Sequence, residues 1–299
     1  FTLTLPNNAT LSGISHIPVP SYQVGPSKCP LVVALHGGTC TAQHYDISPS
    51  HTSSTISETT GIPIVAIDRP CYGGTSSFLP LPEKEGFFDT TAKWLHDYIL
   101  PALWQKFGTP NKCTGIVLLA HSMAVPPAIL TAVMHAKDSN AAYPLAGVIL
   151  TGFGAPGTFN NIPTLDANEE NPDRISAAQE LKRLMMVSEM SLGCTDAAML
   201  PLIDAQSVPM PVAERDDFGP WLGQWETAAG QVEVPVLFAV GEHDWLWKAD
   251  AESMDMFKAA FTKCRRFEGG AVLGAPHALE MWKEVDGWYE RMFKFAREC

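Results

Sequence analysis

The sequence predicts an α/β fold: a mostly parallel, twisted β-sheet flanked by helices, with a helical insertion late in the chain. Three observations carry this expectation. Short apolar runs such as Leu31–Leu35 and Ile116–Ala120 read as strands buried on both faces of a sheet. Segments with helical spacing alternate with such runs, which demands crossover connections and parallel pairing. The alternation stops near residue 155 and resumes at Val234, so residues 1–154 and 233–299 read as one core and 155–232 as a cap or lid inserted into it.

Taken in order, Phe1–Leu5 and Ser12–Val19 read as two strands joined by a turn at Pro6-Asn7-Asn8. Leu31–Leu35 is the first buried strand and runs into His36-Gly37-Gly38-Thr39, where two glycines allow close backbone approach to a ligand or simply a tight turn. A Ser- and Thr-rich helix is expected over Thr52–Thr60, then a strand over Ile62–Ile67 that leads into Asp68 and a turn-rich loop to Thr75. Phe87–Phe107 carries helical spacing, with Pro101 expected to kink or divide it. Ile116–Ala120 is a buried strand that turns sharply at Ser122 into an apolar helix over Val125–His135, where Pro126-Pro127 should delay or bend the helix start. Leu145–Thr151 is the next strand.

In the insertion, Asp173–Met190, Thr195–Gln206 and Pro211–Gly230 are helix-compatible, with no strand signal between them. Val234–Val240 resumes the sheet and ends in Gly241-Glu-His-Asp244. A helix over Ala249–Thr262 and a short edge strand over Lys263–Glu268 follow. Gly269–Pro276 reads as a glycine-rich loop leading to His277, and Leu279–Glu298 as a closing helix with Met281, Trp282, Val285, Trp288 and Met292 on its apolar side.

With 46% hydrophobic and 17% charged residues among 299, the chain is long and apolar enough for one large core. A net charge of -12 argues against nucleic acid and anionic membranes as partners. No apolar run approaches the roughly 18–20 residues that a membrane span needs. Seven scattered cysteines, an odd number without CxxC spacing, read as mostly free thiols in a reducing compartment, so a cytoplasmic location is expected over a secreted one. The start at Phe1, without Met, reads as a trimmed terminus. No metal-ligand spacing stands out, and no cofactor is expected. The oligomeric state is open, a homodimer included.

The polar groups at strand ends carry the chemistry. Ser122 sits at a strand-to-helix turn, Asp244 follows a later strand and His277 follows the last loop. A Ser hydroxyl is a poor nucleophile near neutral pH; it needs a base within reach, and the base needs an orienting acid. His277 suits the first role and Asp244 the second, with Glu242 as the rival acid that strand alternation would point elsewhere. Each also has an ordinary structural use, Ser122 and Asp244 as helix caps above all. The N–H of Met123 and that of Gly38, or of Thr39 if the loop is set one residue over, could form an oxyanion hole. His36 reads as a brace for the Gly37–Gly38 loop, His121 is adjacent to Ser122 in the chain, which does not give the right geometry, and Cys40 and Cys71 read as bystanders.

Together, Leu35-His36-Gly37-Gly38, Ile67-Asp68-Arg-Pro-Cys-Tyr-Gly-Gly74, Ala120-His-Ser-Met-Ala124 with Gly241-Glu-His-Asp244, and Ala275-Pro-His277 resemble the motifs of α/β-hydrolase fold enzymes over nearly the whole chain. The resemblance implies the triad Ser122–Asp244–His277 and a lid where the insertion falls. It points to the esterase, thioesterase and C–C hydrolase branch, with a general likeness to hydrolases of fungal secondary metabolism. Ala120 and Ala124 depart from the usual elbow glycines, and Cys71 from another glycine of the pattern. The expected activity is hydrolysis of an ester, lactone or thioester of an apolar small molecule through an acyl-enzyme. C–C cleavage, acyl transfer or rearrangement by the same triad stays open, as does a non-catalytic small-molecule binder.

Overall fold

A computed structural model describes residues 1–19, 28–168 and 171–299. Its main sheet has eight strands: β1 (Thr2–Thr4), β2 (Thr10–His16), β3 (Leu31–Leu35), β4 (Ile64–Ile67), β5 (Ile116–His121), β6 (Leu145–Thr151), β7 (Val236–Gly241) and β8 (Phe267–Val272). Their order across the sheet is β1-β2-β4-β3-β5-β6-β7-β8. β2 pairs antiparallel with β1 and β4, and every pair from β4 to β8 is parallel. The sheet is therefore the mostly parallel one that the alternation predicts.

The continuous apolar runs follow from burial on both faces. Val33, Leu35, Val65, Ile67, Leu118 and Ala120 pack into one core. Their chain neighbours Val32, Ala34, Ile64, Ala66, Val117 and Leu119 pack into another, on the opposite face. Successive strand side chains alternate in direction, so a strand covered on both sides needs apolar residues at every position. Helices α1 (Ser53–Thr60) and α9 (Val285–Glu298) pack against each other on the second face. On the first face lie α2 (Phe87–Trp94) and α3 (Val125–Lys137). No helix of the described residues is long and apolar enough to cross a membrane.

Several expected elements fall elsewhere. The edge strand β8 spans Phe267–Val272, not Lys263–Glu268. The glycines assigned to a loop lie inside it, Gly269 with φ 120°. A Cβ there would sit 1.7 Å from the Phe238 carbonyl oxygen, so this strand needs glycine to approach β7. Pro101 does not break its helix; α2 runs on through Leu95–Ile99 and Trp104–Gly108, with a short α-helical segment, Leu100–Leu103, between these wider π-type turns. Pro126-Pro127 does not delay α3, which starts at Val125 directly after a 3₁₀ turn at Ser122–Ala124. Both prolines lie among the first helical residues, whose N–H groups have no intrahelical partner to lose. The closing helix begins at Val285, with a separate turn at Leu279–Met281.

Between β6 and β7 the chain forms helices α4 (Gln179–Val187), α5 (Leu200–Ala205), α6 (Val212–Leu222) and α7 (Trp225–Ala229). It is not wholly helical: Asp166–Ala167, Arg174–Ser176 and Met210–Pro211 form a small antiparallel sheet. Strands of two or three residues are too short to leave a periodic signal. Helix α8 (Ala251–Ala259) follows β7.

Candidate active site

In parallel sheets, ligands bind beyond the carboxyl ends of the strands. The loops after β3, β5, β7 and β8 meet there and wall a cavity of about 160 Å³. Ser122, His277, Gly38 and Met123 all line it.

Ser122 stands at the tip of the β5–α3 turn with φ 53°, a left-handed conformation that a non-glycine residue rarely adopts. The turn therefore does not place its positive φ on the flanking residues. Ala120 lies in the strand and Ala124 is right-handed, at φ -84°. Small side chains suffice at both places, which explains why alanine replaces glycine. Space is tight instead at Gly37, where a Cβ would lie 3.0 Å from the Ser122 Cβ and 3.1 Å from the His121 ring. Gly152, at φ 59°, likewise gives way to the rings of His121 and His277.

His277 Nδ1 and Asp244 Oδ2 are 2.7 Å apart, both residues buried. The other carboxylate oxygen, Oδ1, accepts from the backbone N–H of Leu246 at 2.8 Å and Trp247 at 3.0 Å. Asp244 thus caps the turn that follows it and orients His277 at once. Glu242 turns away, accepting from the Gly274 N–H at 2.8 Å. Ser122 shares the cavity with His277, but among the described residues its hydroxyl makes no hydrogen bond. Of the sequence-derived set, the geometry joins Asp244 to His277 directly and brings Ser122, Gly38 and Met123 to the same wall.

The Gly37–Gly38 loop is held from beneath. His36 Nδ1 is 2.8 Å from the Gly37 carbonyl, and its Nε2 accepts from the Arg69 N–H at 3.0 Å, which fixes a neutral tautomer. Burial, then the nearby Arg69 charge, pushes the His36 pKa well below the usual histidine range. Arg69 also donates to the Gly37 carbonyl at 3.2 Å and pairs with Glu214 of α6 at 2.6 Å, with neither side chain exposed. The Tyr72 hydroxyl donates to the second Glu214 oxygen. Burial works against the Arg69 charge, but Glu214 and Tyr72 outweigh it.

A second buried polar cluster lies behind the cavity. His44 Nε2 is 3.1 Å from Glu280 Oε2, both fully buried. His44 stacks on His121, whose ring lies 4.7 Å from that of His277. Burial, then the neighbouring His44, holds the His121 pKa well below its usual range. His44, His121 and Glu280 bring three donor atoms within 4.8 Å of one another, as a metal site would. The stacking opposes that use: the rings are 18° from parallel, so their in-plane lone pairs do not converge on one ion. The His44–Glu280 pair reads better as an ion pair.

Reading the sequence missed His44, Lys182, Glu214 and Glu280 altogether. The only local signal was a Lys at 182 and a Glu at 214 on helices whose other buried positions include Met186 and Trp221. His121 lines the cavity as well.

The model of the alpha/beta hydrolase family matches residues 32–287. Among solved structures, the chain is similar to a thermophilic esterase from Thermogutta terrifontis at 14% identity and a TM-score of 0.58, covering 100% of this chain and 98% of that one. It is similar to Est1E from Butyrivibrio proteoclasticus, solved with ferulic acid bound, at 17% identity and a TM-score of 0.57, covering 98% and 96%. It is also similar to a bromoperoxidase from Bacillus anthracis at 15% identity and a TM-score of 0.59, covering 99% of each chain. No curated protein matches the chain. At such identities these likenesses describe the fold.

Proposed function

This chain belongs to the alpha/beta hydrolase family, and on that premise we propose that it hydrolyses an ester, lactone or thioester of a small apolar molecule through an acyl-enzyme on Ser122. The observation that carries the reading is the buried Asp244–His277 hydrogen bond, 2.7 Å long, whose histidine faces the cavity that a left-handed Ser122 also lines. Asp244 takes the Nδ1 proton of His277 as its partner, which leaves Nε2 as the base. Nε2 removes the proton of the Ser122 hydroxyl as its oxygen attacks the carbonyl carbon. The N–H groups of Gly38 and Met123 receive the developing oxyanion. His277 then returns its proton to the leaving alcohol or thiol. A water molecule, deprotonated in turn by His277, releases the acid.

The walls support an apolar acyl group. Phe153, Phe159, Met210, Phe218 and Trp247 face the space. Its volume is close to that of cavities that hold a benzene-sized guest, of about 150 Å³. Phe159, Met210 and Phe218 come from residues 155–232, which act as a cap and set the substrate.

p-Nitrophenyl acetate and butyrate test the reading. Release of p-nitrophenol should show a rapid phase equal to the enzyme concentration, then a slower steady rate, as an acyl-enzyme requires. In isotopically labelled water the carboxylate product should carry one solvent oxygen, which separates hydrolysis from acyl transfer. Release no faster than in buffer, with both esters, would contradict the proposal.

A further inference from the structure

Lys182 enters the core from α4 and is 2% exposed. Its ammonium donates to the Thr39 carbonyl at 3.1 Å, to the Thr39 hydroxyl and to Cys40 Sγ at 3.1 Å. Among the described residues it makes no ion pair with a carboxylate. A buried ammonium with only neutral acceptors is costly, because nothing replaces the solvation it has lost. The Cys40 sulfur is the one contacting group that can become an anion.

The surroundings agree with that charge. His44, from the turn after β3, bears electrostatically on Cys40, and Glu280 and His121 stand behind His44. Two pairs, Lys182 with Cys40 and His44 with Glu280, leave the buried cluster neutral overall. Burial pushes the Cys40 thiol up, but Lys182 and then His44 outweigh it and bring the pKa down to about 6. His44 moves the opposite way: burial lowers it, while Cys40 and Glu280 raise it to about 9. Cys40, though only 3% exposed, lines the same cavity as Ser122 and His277.

We propose that Cys40 is a resident thiolate in the cavity wall and the site at which small α,β-unsaturated carbonyl compounds are captured covalently. The sulfur lone pair forms a bond to the β-carbon, and the carbon–carbon π pair moves onto the carbonyl oxygen as an enolate. Lys182 supplies the proton that converts the enolate to the saturated carbonyl, and solvent returns a proton to Lys182. Nothing leaves and nothing is oxidised or reduced, so the adduct carries the whole mass of the reagent. This capture does not depend on Ser122 chemistry.

Acrylamide, small enough for the cavity, is the probe. The folded protein is treated over pH 4.5–9 and each cysteine is followed by peptide mapping. The Cys40 rate should reach its plateau by pH 7, with a midpoint of about 6. Cys29, brought down to about 7 chiefly by its hydrogen bond with Cys113, is the rival thiol, and mapping separates the two. In Lys182→Met the Cys40 rate at pH 6.5 should fall by more than about tenfold, with Cys29 unaffected. Lys182→Arg, which keeps the charge, should retain the low midpoint. Should Lys182→Met fail to fold, the ultraviolet thiolate absorption lost at pH 7 on Cys40→Ser reports the same charge. A Cys40 rate that still climbs through pH 8–9, no modification of Cys40 while Cys29 reacts, or no thiolate absorption attached to Cys40 would each overturn the proposal.

Discussion

Replacing Ser122 with Ala should lower kcat for p-nitrophenyl butyrate by about 10⁴-fold or more, which is roughly 5.5 kcal/mol of lost transition-state stabilisation. The loss should come without unfolding. Alanine keeps the Cβ of serine, so the strain of a residue at φ 53° is the same before and after, and the thermal midpoint should move by no more than a few degrees. His277→Ala should lose activity on a similar scale. The double variant should be scarcely worse than either single one, since the two groups act as a unit. Steady-state kinetics beside a thermal melt of each variant checks this. A Ser122→Ala enzyme with near-normal turnover would remove the nucleophile from the account.

Glu214→Ala should be the most damaging change to stability, by about 3–5 kcal/mol. It strands the Arg69 guanidinium, which is fully buried and already has one unpartnered nitrogen, Nε. It also removes the acceptor of the buried Tyr72 hydroxyl. A loss of this size corresponds to a fall in thermal midpoint on the order of 10 °C. Glu214→Gln keeps acceptor capacity but not charge, and should cost less. Because Arg69 also holds the Gly37 carbonyl, surviving Glu214→Ala protein should lose kcat before its fold melts. Calorimetry of the three proteins is the check, and equal midpoints would mean the pair contributes nothing.

Much of this fold was legible because burial on both faces writes itself into the strands. Leu31–Leu35 and Leu145–Thr151 were located to the residue. Ser122 and Asp244 stand out because each follows a strand whose apolar run ends abruptly, and His277 because a glycine-rich stretch brings the chain back over the sheet. The strand Phe267–Val272 was displaced because Gly269-Gly270 is the usual mark of a loop, and only contact with Phe238 makes glycine a requirement inside that strand. The proline pair leaves the helix start in place because the cost of proline depends on which helical turn it occupies.

The pairs that brace the site were hidden for another reason. Arg69 and Glu214 lie 145 residues apart, and Cys40 and Lys182 lie 142 apart. No periodicity links residues that meet only after the inserted segment folds back onto the sheet. A lone Lys or Glu on an amphipathic helix reads as solvent-facing until its partner is known. The missing Ser122–His277 hydrogen bond is likewise a matter of side-chain placement, and such bonds are often loose before substrate binds.

Ser122 as nucleophile and His277 as its base form the core of the proposed mechanism. A fluorophosphonate probe followed by peptide mapping tests it most directly. One adduct per chain is expected, on Ser122, absent from Ser122→Ala and strongly slowed in Asp244→Ala and His277→Ala. No adduct on the folded wild-type protein, or an adduct on another residue that persists in Ser122→Ala, would contradict it.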